Sequence, residues 1–178
     1  MQTNRYHPLI VSLHWLIFLL FAVALIAIEY RGQLPKGDPA IGNVMAIHKQ
    51  AGVLVFVFAI VRLLTRLSTT APAILSRWPL IRFVAHAIHV VLYSLMFALP
   101  ITGTLLSQSS GRAVMLFGWT LPTLVEKNPG LHDSIESVHV FLGNSVYFLV
   151  GLHVLAALWH HFVLRDQTLL HMSFRKQN

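Results

Sequence analysis

Apolar residues dominate four long runs along this chain, at about residues 9–28, 46–67, 83–106 and 138–164. A bilayer core of roughly 30 Å takes about 20 residues of α-helix, so each run is long enough to cross one. The segments between them are punctuated by helix breakers. Pro35, Gly37 and Pro39 lie in the first link, and Pro72 and Pro79 in the second. Gly111, Gly118, Pro122, Pro129 and Gly130 lie in the third. The pattern predicts one domain over residues 1–178, an all-α integral membrane bundle of four helices with no internal repeat. The first run is too long for the apolar stretch of a cleaved signal, about 7–15 residues, and the His14-Trp15 pair at its middle is foreign to such a segment.

Composition agrees. Hydrophobic residues make up 56% of the 178 and charged residues only 11%, against about 25% charged in soluble domains. The absence of cysteine excludes disulfides, a thiol nucleophile, thiolate-bound iron–sulfur clusters and covalent haem attachment. A net charge of +7 does not point to nucleic acid, because the charges sit at the ends of the apolar runs and not along one face. They indicate orientation instead. Arg5, Arg62, Arg66, Arg77, Arg82, Arg165, Arg175 and Lys176 fall on one side, and Arg31, Lys36, Lys49, Arg112 and Lys127 on the other. The first, richer side is predicted to be cytoplasmic, with both termini on it.

Eleven histidines are present, several inside the apolar runs. Ionisable groups at that depth are costly and are functional candidates by default. His139 and His153 lie 14 residues apart on the fourth run, which at about 100° and 1.5 Å per residue puts them on one helical face about 21 Å apart. The alternating direction of the helices puts His14 at the depth of His153 and His48 at the depth of His139. Each pair comes from two different helices, as a flat macrocycle held by two axial imidazoles requires. Gly52 and Gly143 follow His48 and His139 by four residues, so their missing side chains lie on the ligand face. Phe18 takes that place after His14, and Ala156 and Ala157 lie near His153. Zinc fits less well, since it wants about four ligands and no carboxylate lies at these depths.

His86 and His89 are three apart on the third run, too close in depth to serve two haems. Either can stand in for His14 opposite His153, or reach a propionate or a buried water. His132 is expected in the outer loop, and His7 and His171 at solvated ends. Trp159, His160, Arg165 and Asp166 gather at the inner surface. They read either as an interfacial anchor or as a site for a quinone head.

The runs SLHWLIFLL, EYRGQLP, LYSLMFALPITG and GLHVLAALWHHFVLRDQTLL together resemble the bacterial cytochrome b561 family over nearly the whole chain. That family is similar to the cytochrome b subunits of nickel–iron hydrogenase and formate dehydrogenase. The resemblance implies a four-helix membrane bundle holding two haems b, with His14, His48, His139 and His153 as ligands. It is strongest to the stand-alone type that oxidises periplasmic superoxide and reduces ubiquinone, which gives His160 a quinone role. The chain departs from that type by carrying His171 and Ser173 in a tail that is more basic there.

The expected function is electron transfer across the membrane, from superoxide or another small periplasmic donor to ubiquinone. Arg31, Lys36 and Lys49 are the cations expected to meet the donor. Trp159, His160 and Arg165 are expected to meet the quinone. The other reading is an anchor or relay subunit of a hydrogenase- or dehydrogenase-type complex.

Overall fold

A computed structural model gives the fold, and residues 6–70 and 78–173 are described. Arg5, Arg77, Arg175 and Lys176, four of the charges used for orientation, lie outside them. Four long helices follow in order: α1 (Pro8–Gln33), α2 (Ala40–Ser68), α3 (Pro79–Ser109) and α4 (Pro129–Trp159). All four are long and apolar enough to cross a membrane, so the chain is an all-α membrane bundle. A two-residue hairpin, β1 (Met115–Leu116) with β2 (Trp119–Thr120), lies in the link before α4. Its turn is made by Phe117 and Gly118, both at positive φ (49° and 87°), the backbone that tight hairpin turns require.

The helices outrun the apolar stretches that announce them. Hydropathy marks only the part that meets lipid, whereas a helix ends where its backbone is capped. α4 begins nine residues before its apolar run, at Pro129, with the Asn128 side chain accepting the Leu131 N–H at 3.0 Å. Asparagine at the cap followed by proline at the first helical position is a strong start signal. His132 is therefore on the first turns of α4 and not in a loop. Arg31 likewise lies in the last turn of α1 and not in the link after it. His7, expected as a solvated end, caps α1 through its Nδ1, which accepts the Leu9 N–H at 3.2 Å.

Close packing runs α1 on α2, α2 on α3 and α3 on α4. The α1–α2 seam buries Ala24, Ala27, Ala51 and Ala59 alongside Ile10, Leu13, Ile17 and Val55. Small residues there let the backbones approach, which is how helices associate when the solvent is itself apolar. Ile26, Leu64, Phe141 and Phe148 point outward and exposed, as a lipid-facing surface requires. α4 stands off α1 and α2 along most of its length, and the histidines occupy that gap. The bundle end carrying residues 6 and 173 is called here the terminal end, and the opposite one, with links 34–39 and 110–128, the loop end.

Candidate functional site: two imidazole pairs between helices

The four membrane-depth histidines meet in two pairs across the gap. The ring centres of His48 (α2) and His139 (α4) are 6.4 Å apart, with planes at 87°. Those of His14 (α1) and His153 (α4) are 6.3 Å apart, with planes at 69°. Two imidazoles on opposite sides of one metal, with bonds of ~2.0–2.1 Å and each ring centre about 1.1 Å behind its nitrogen, have centres roughly 6.2–6.4 Å apart. Both pairs meet that spacing. His89 also lies near His153, with ring centres 5.7 Å apart, too short for the same arrangement. Its Nδ1 donates to the Ala85 carbonyl one turn back at 2.5 Å. His86 is exposed on the surface of α3.

At the loop-end pair the tautomers follow from the neighbours. The His48 Nδ1–H donates to the Ala24 carbonyl at 2.8 Å, and a carbonyl can only accept. The Thr102 hydroxyl gives its hydrogen to the Ala98 carbonyl at 2.7 Å, so its oxygen accepts from His139 Nδ1 at 2.9 Å. In the neutral tautomer that makes these bonds, each ring carries its free lone pair on Nε2. Donating the other ring N–H is the usual support of a metal-ligating histidine, fixing the ring and raising its basicity.

A cavity of about 500 Å³ opens beside this pair, within the ~300–1,000 Å³ of ligand and cofactor sites. His48, His139, Gly52, Gly103 and Gly143 line it. A Cβ placed on Gly52 or Gly143 would meet no atom within 4 Å, so both glycines face open space that a flat ring can fill. Gly103 acts differently. A Cβ there would come within 3.0 Å of His139 Cε1, so the bare backbone of α3 makes room for the imidazole. Neither Gly103 nor Thr102 was singled out from the sequence, although both stand in the LPITG stretch. The site thus fits an axially ligated planar cofactor.

Arg31, Lys49 and Arg112 also line this cavity, with Glu29 and Glu136. Lys49 Nζ donates to Ser107 Oγ at 3.1 Å. Lys36 lies in the 34–39 link, outside the lining. Among the described residues, the group able to gather three donor atoms on one ion is His132, Asp133 and Glu136. It lies near the start of α4, and its His132 and Glu136 line the same cavity as His48 and His139.

The terminal end is organised around the end of α4. Its last turn widens into a π-helix, His160–Leu164, closed by Arg165 at φ 54°. A non-glycine residue in the left-handed region is strained and marks a constrained site. The bulge turns His160 back onto Asp166, with Nδ1 to Oδ2 at 2.5 Å. Burial pushes the Asp166 carboxyl up, but hydrogen bonds from His160 and from the side chain and backbone of Thr168 outweigh it and hold the group below its usual 3.8. Trp159 and Arg165 flank this pair and are exposed. The chain then returns against α1, where Trp15 Nε1 donates to the Met172 carbonyl at 2.9 Å.

Comparison with known proteins places this geometry. The prokaryotic cytochrome b561 family matches residues 5–175. A probable superoxide oxidase, CybB, of Yersinia pestis is 37% identical over 175 residues, covering 98% of each chain. Cytochrome b561 homolog 1 of Escherichia coli K12 is 32% identical over 175 residues, covering 98% of this chain and 99% of the relative. Homolog 2 of the same organism is 31% identical over 178 residues, covering 95% and 91%. The chain belongs to the prokaryotic cytochrome b561 family, and is a haem-b-binding membrane oxidoreductase that transfers electrons.

Proposed function

We propose that the chain is a superoxide:quinone oxidoreductase with two haem b sites, held by His48 with His139 and by His14 with His153. The observation that carries this is the pair of cross-helix imidazole spacings, 6.4 and 6.3 Å. Each haem iron, when bound, supplies one-electron acceptance and donation, and ligation on both faces favours electron transfer over oxygen binding. The balance of lysine and arginine supports a loop end facing outward and a terminal end, with both termini, in the cytoplasm. Two superoxide ions give up one electron each and leave as dioxygen. One ubiquinone takes both electrons and two protons and leaves as quinol.

The residues have separate tasks. Arg31 and Lys49, joined by Arg112, line the loop-end cavity and draw a small anion toward it. Such steering raises an on-rate by ~10–10³ and weakens with salt. Gly52, Gly103 and Gly143 leave room for the cofactor and its ligand. At the terminal end His160, held through Nδ1 by Asp166, turns its Nε2 to the quinone carbonyl, with Trp159 and Arg165 beside it. The Yersinia pestis relative, named a probable superoxide oxidase, supports the donor.

The test is stopped-flow mixing of oxidised, haem-loaded protein with superoxide at two ionic strengths, with ubiquinone present. Fast, salt-sensitive haem reduction, slowed by Lys49→Gln or Arg31→Gln, is expected. His160→Ala should slow quinone reduction with haem content unchanged. Slow reduction by superoxide at both ionic strengths sinks superoxide as donor and leaves the relay-subunit reading.

A further inference from the structure

Arg62 counts in the sequence only as one more charge on the side of the termini. The structure buries it, at 8% exposure, on α2. Its Nε donates to the Tyr93 hydroxyl at 3.0 Å, and its Nη1 to the Ile10 carbonyl at 3.2 Å. Ile10 lies one helical turn before His14 on the same face of α1. The guanidinium is within electrostatic reach of both His14 and His153.

The two hydrogen bonds tie α1, α2 and α3 together, but a neutral side chain could make them equally well. The guanidinium also lies over the Tyr93 ring, 6.0 Å from its centroid, a contact at the outer limit of cation–π attraction that does not neutralise the charge. Guanidinium stays ionised in proteins, and a buried ion without a counter-ion is strongly unfavourable. Among the described residues the ion pairs are His132 with Glu136 and His160 with Asp166, and Arg62 is in neither. Glu29, Asp38, Glu126, Asp133 and Glu136 belong to the loop end, and Asp166 is held by His160 and Thr168. The anion Arg62 lacks must come with a ligand. Haem b carries carboxylates, and the planar fork of arginine matches a carboxylate in geometry and charge.

We propose that Arg62 is the positioning residue and counter-charge of the cofactor held by His14 and His153. It pairs with a propionate and keeps that site easier to reduce than it would otherwise be. The proposal rests on the reading of those two histidines as axial ligands. A fixed cation beside a redox centre favours the state with one more electron. Removing the charge therefore lowers that site's midpoint potential and leaves the His48–His139 site unchanged.

The test is an anaerobic optical redox titration of the purified full-length haem protein, with haem counted per chain. For Arg62→Gln, the reduced-to-oxidised ratio of the terminal-end haem at the wild-type midpoint should fall about tenfold, which for one electron is about 59 mV. Arg62→Lys should recover most of the shift. Tyr93→Phe, which removes a hydrogen bond to Arg62 but not its charge, should leave the potential in place. Unchanged potentials in Arg62→Gln with both haems bound overturn the proposal. So does a Tyr93→Phe shift as large as that of Arg62→Gln, which would make Arg62 a clamp alone. If Arg62→Gln does not accumulate, the comparison moves to the neutral Arg62→Met: two haems with a downward shift of one potential support the proposal, and an unshifted potential overturns it. His14→Ala and His153→Ala, run beside these, separate the two ideas. Two normal haems in both variants would sink the ligand assignment itself, whatever Arg62 does.

Discussion

Replacing Gly103 by alanine should have opposite effects on helix stability and on haem binding. Gly103 lies inside α3, where alanine is favoured over glycine by about 1 kcal/mol. The new methyl, however, would start 3.0 Å from His139 Cε1. A contact that close is tighter than nearly all real Cβ contacts, so ring or helix must yield by a few tenths of an ångström. A metal ligand tolerates only about 0.2 Å. The ring cannot simply tilt away, because Thr102 holds its Nδ1 at 2.9 Å. On the proposed ligation, Gly103→Ala should therefore lose or weaken the loop-end haem while the protein folds as well as before. Haem per chain, measured by extracted pigment against protein, should fall from two toward one. Gly151→Ala, where an added Cβ meets nothing within 4 Å, serves as the control and should keep both. Two haems with unaltered spectra in Gly103→Ala would refute the argument and remove His139 from the ligand set.

Three further outcomes are expected. His14→Ala should cost one haem while His89→Ala keeps both, since ring centres at 6.3 Å suit ligation with His153 and those at 5.7 Å do not; haem counting decides it. The Asp166 carboxyl is held below its usual 3.8, so its contribution to the docked tail is complete above that value and is lost as pH falls through the lower folded value. Tryptophan fluorescence of Trp15 variants against the parent should report release of the tail on acidification, and Asp166→Asn should abolish that pH dependence. Finally, redox titration should find the loop-end haem at lower potential than the terminal-end haem, the two being distinguished by losing the first in His48→Ala.

The membrane bundle was legible because the bilayer imposes a length and a polarity on each helix that hydropathy reads directly. The histidine pairs were legible for a related reason: helix direction alternates, so position along a run becomes depth. The helix ends were not read from hydropathy, although the Asn128-Pro129 start of α4 carries a local signal that the apolar pattern outweighed. Gly103, Thr102 and Arg62 lay beyond such reasoning. Their roles depend on which face of α3 meets α4, and on how deep an arginine near the end of a run is buried. A charge count treats Arg62 and Arg66 alike, yet only the first is in the interior. The π-turn at His160 has no marker in composition, so the gathering of His160 and Asp166 at one surface was readable but their direct hydrogen bond was not.

The two imidazole pairs are alike in spacing but not in surroundings, and the difference gives the proposed electron path a direction. At the loop end His48 and His139 each donate a ring N–H, to a backbone carbonyl and to a hydroxyl. Such bonds make the ligating nitrogen more basic and favour the oxidised, more positive iron. At the terminal end the buried guanidinium of Arg62 lies near His14 and His153 and, as proposed, favours the reduced iron. Both effects push the potentials apart in the same sense. On the proposed reading, an electron entering near Arg31, Lys49 and Arg112 would move downhill toward the end where His160 and Asp166 stand. The same ordering opposes return of electrons from quinol to dioxygen, which would regenerate superoxide.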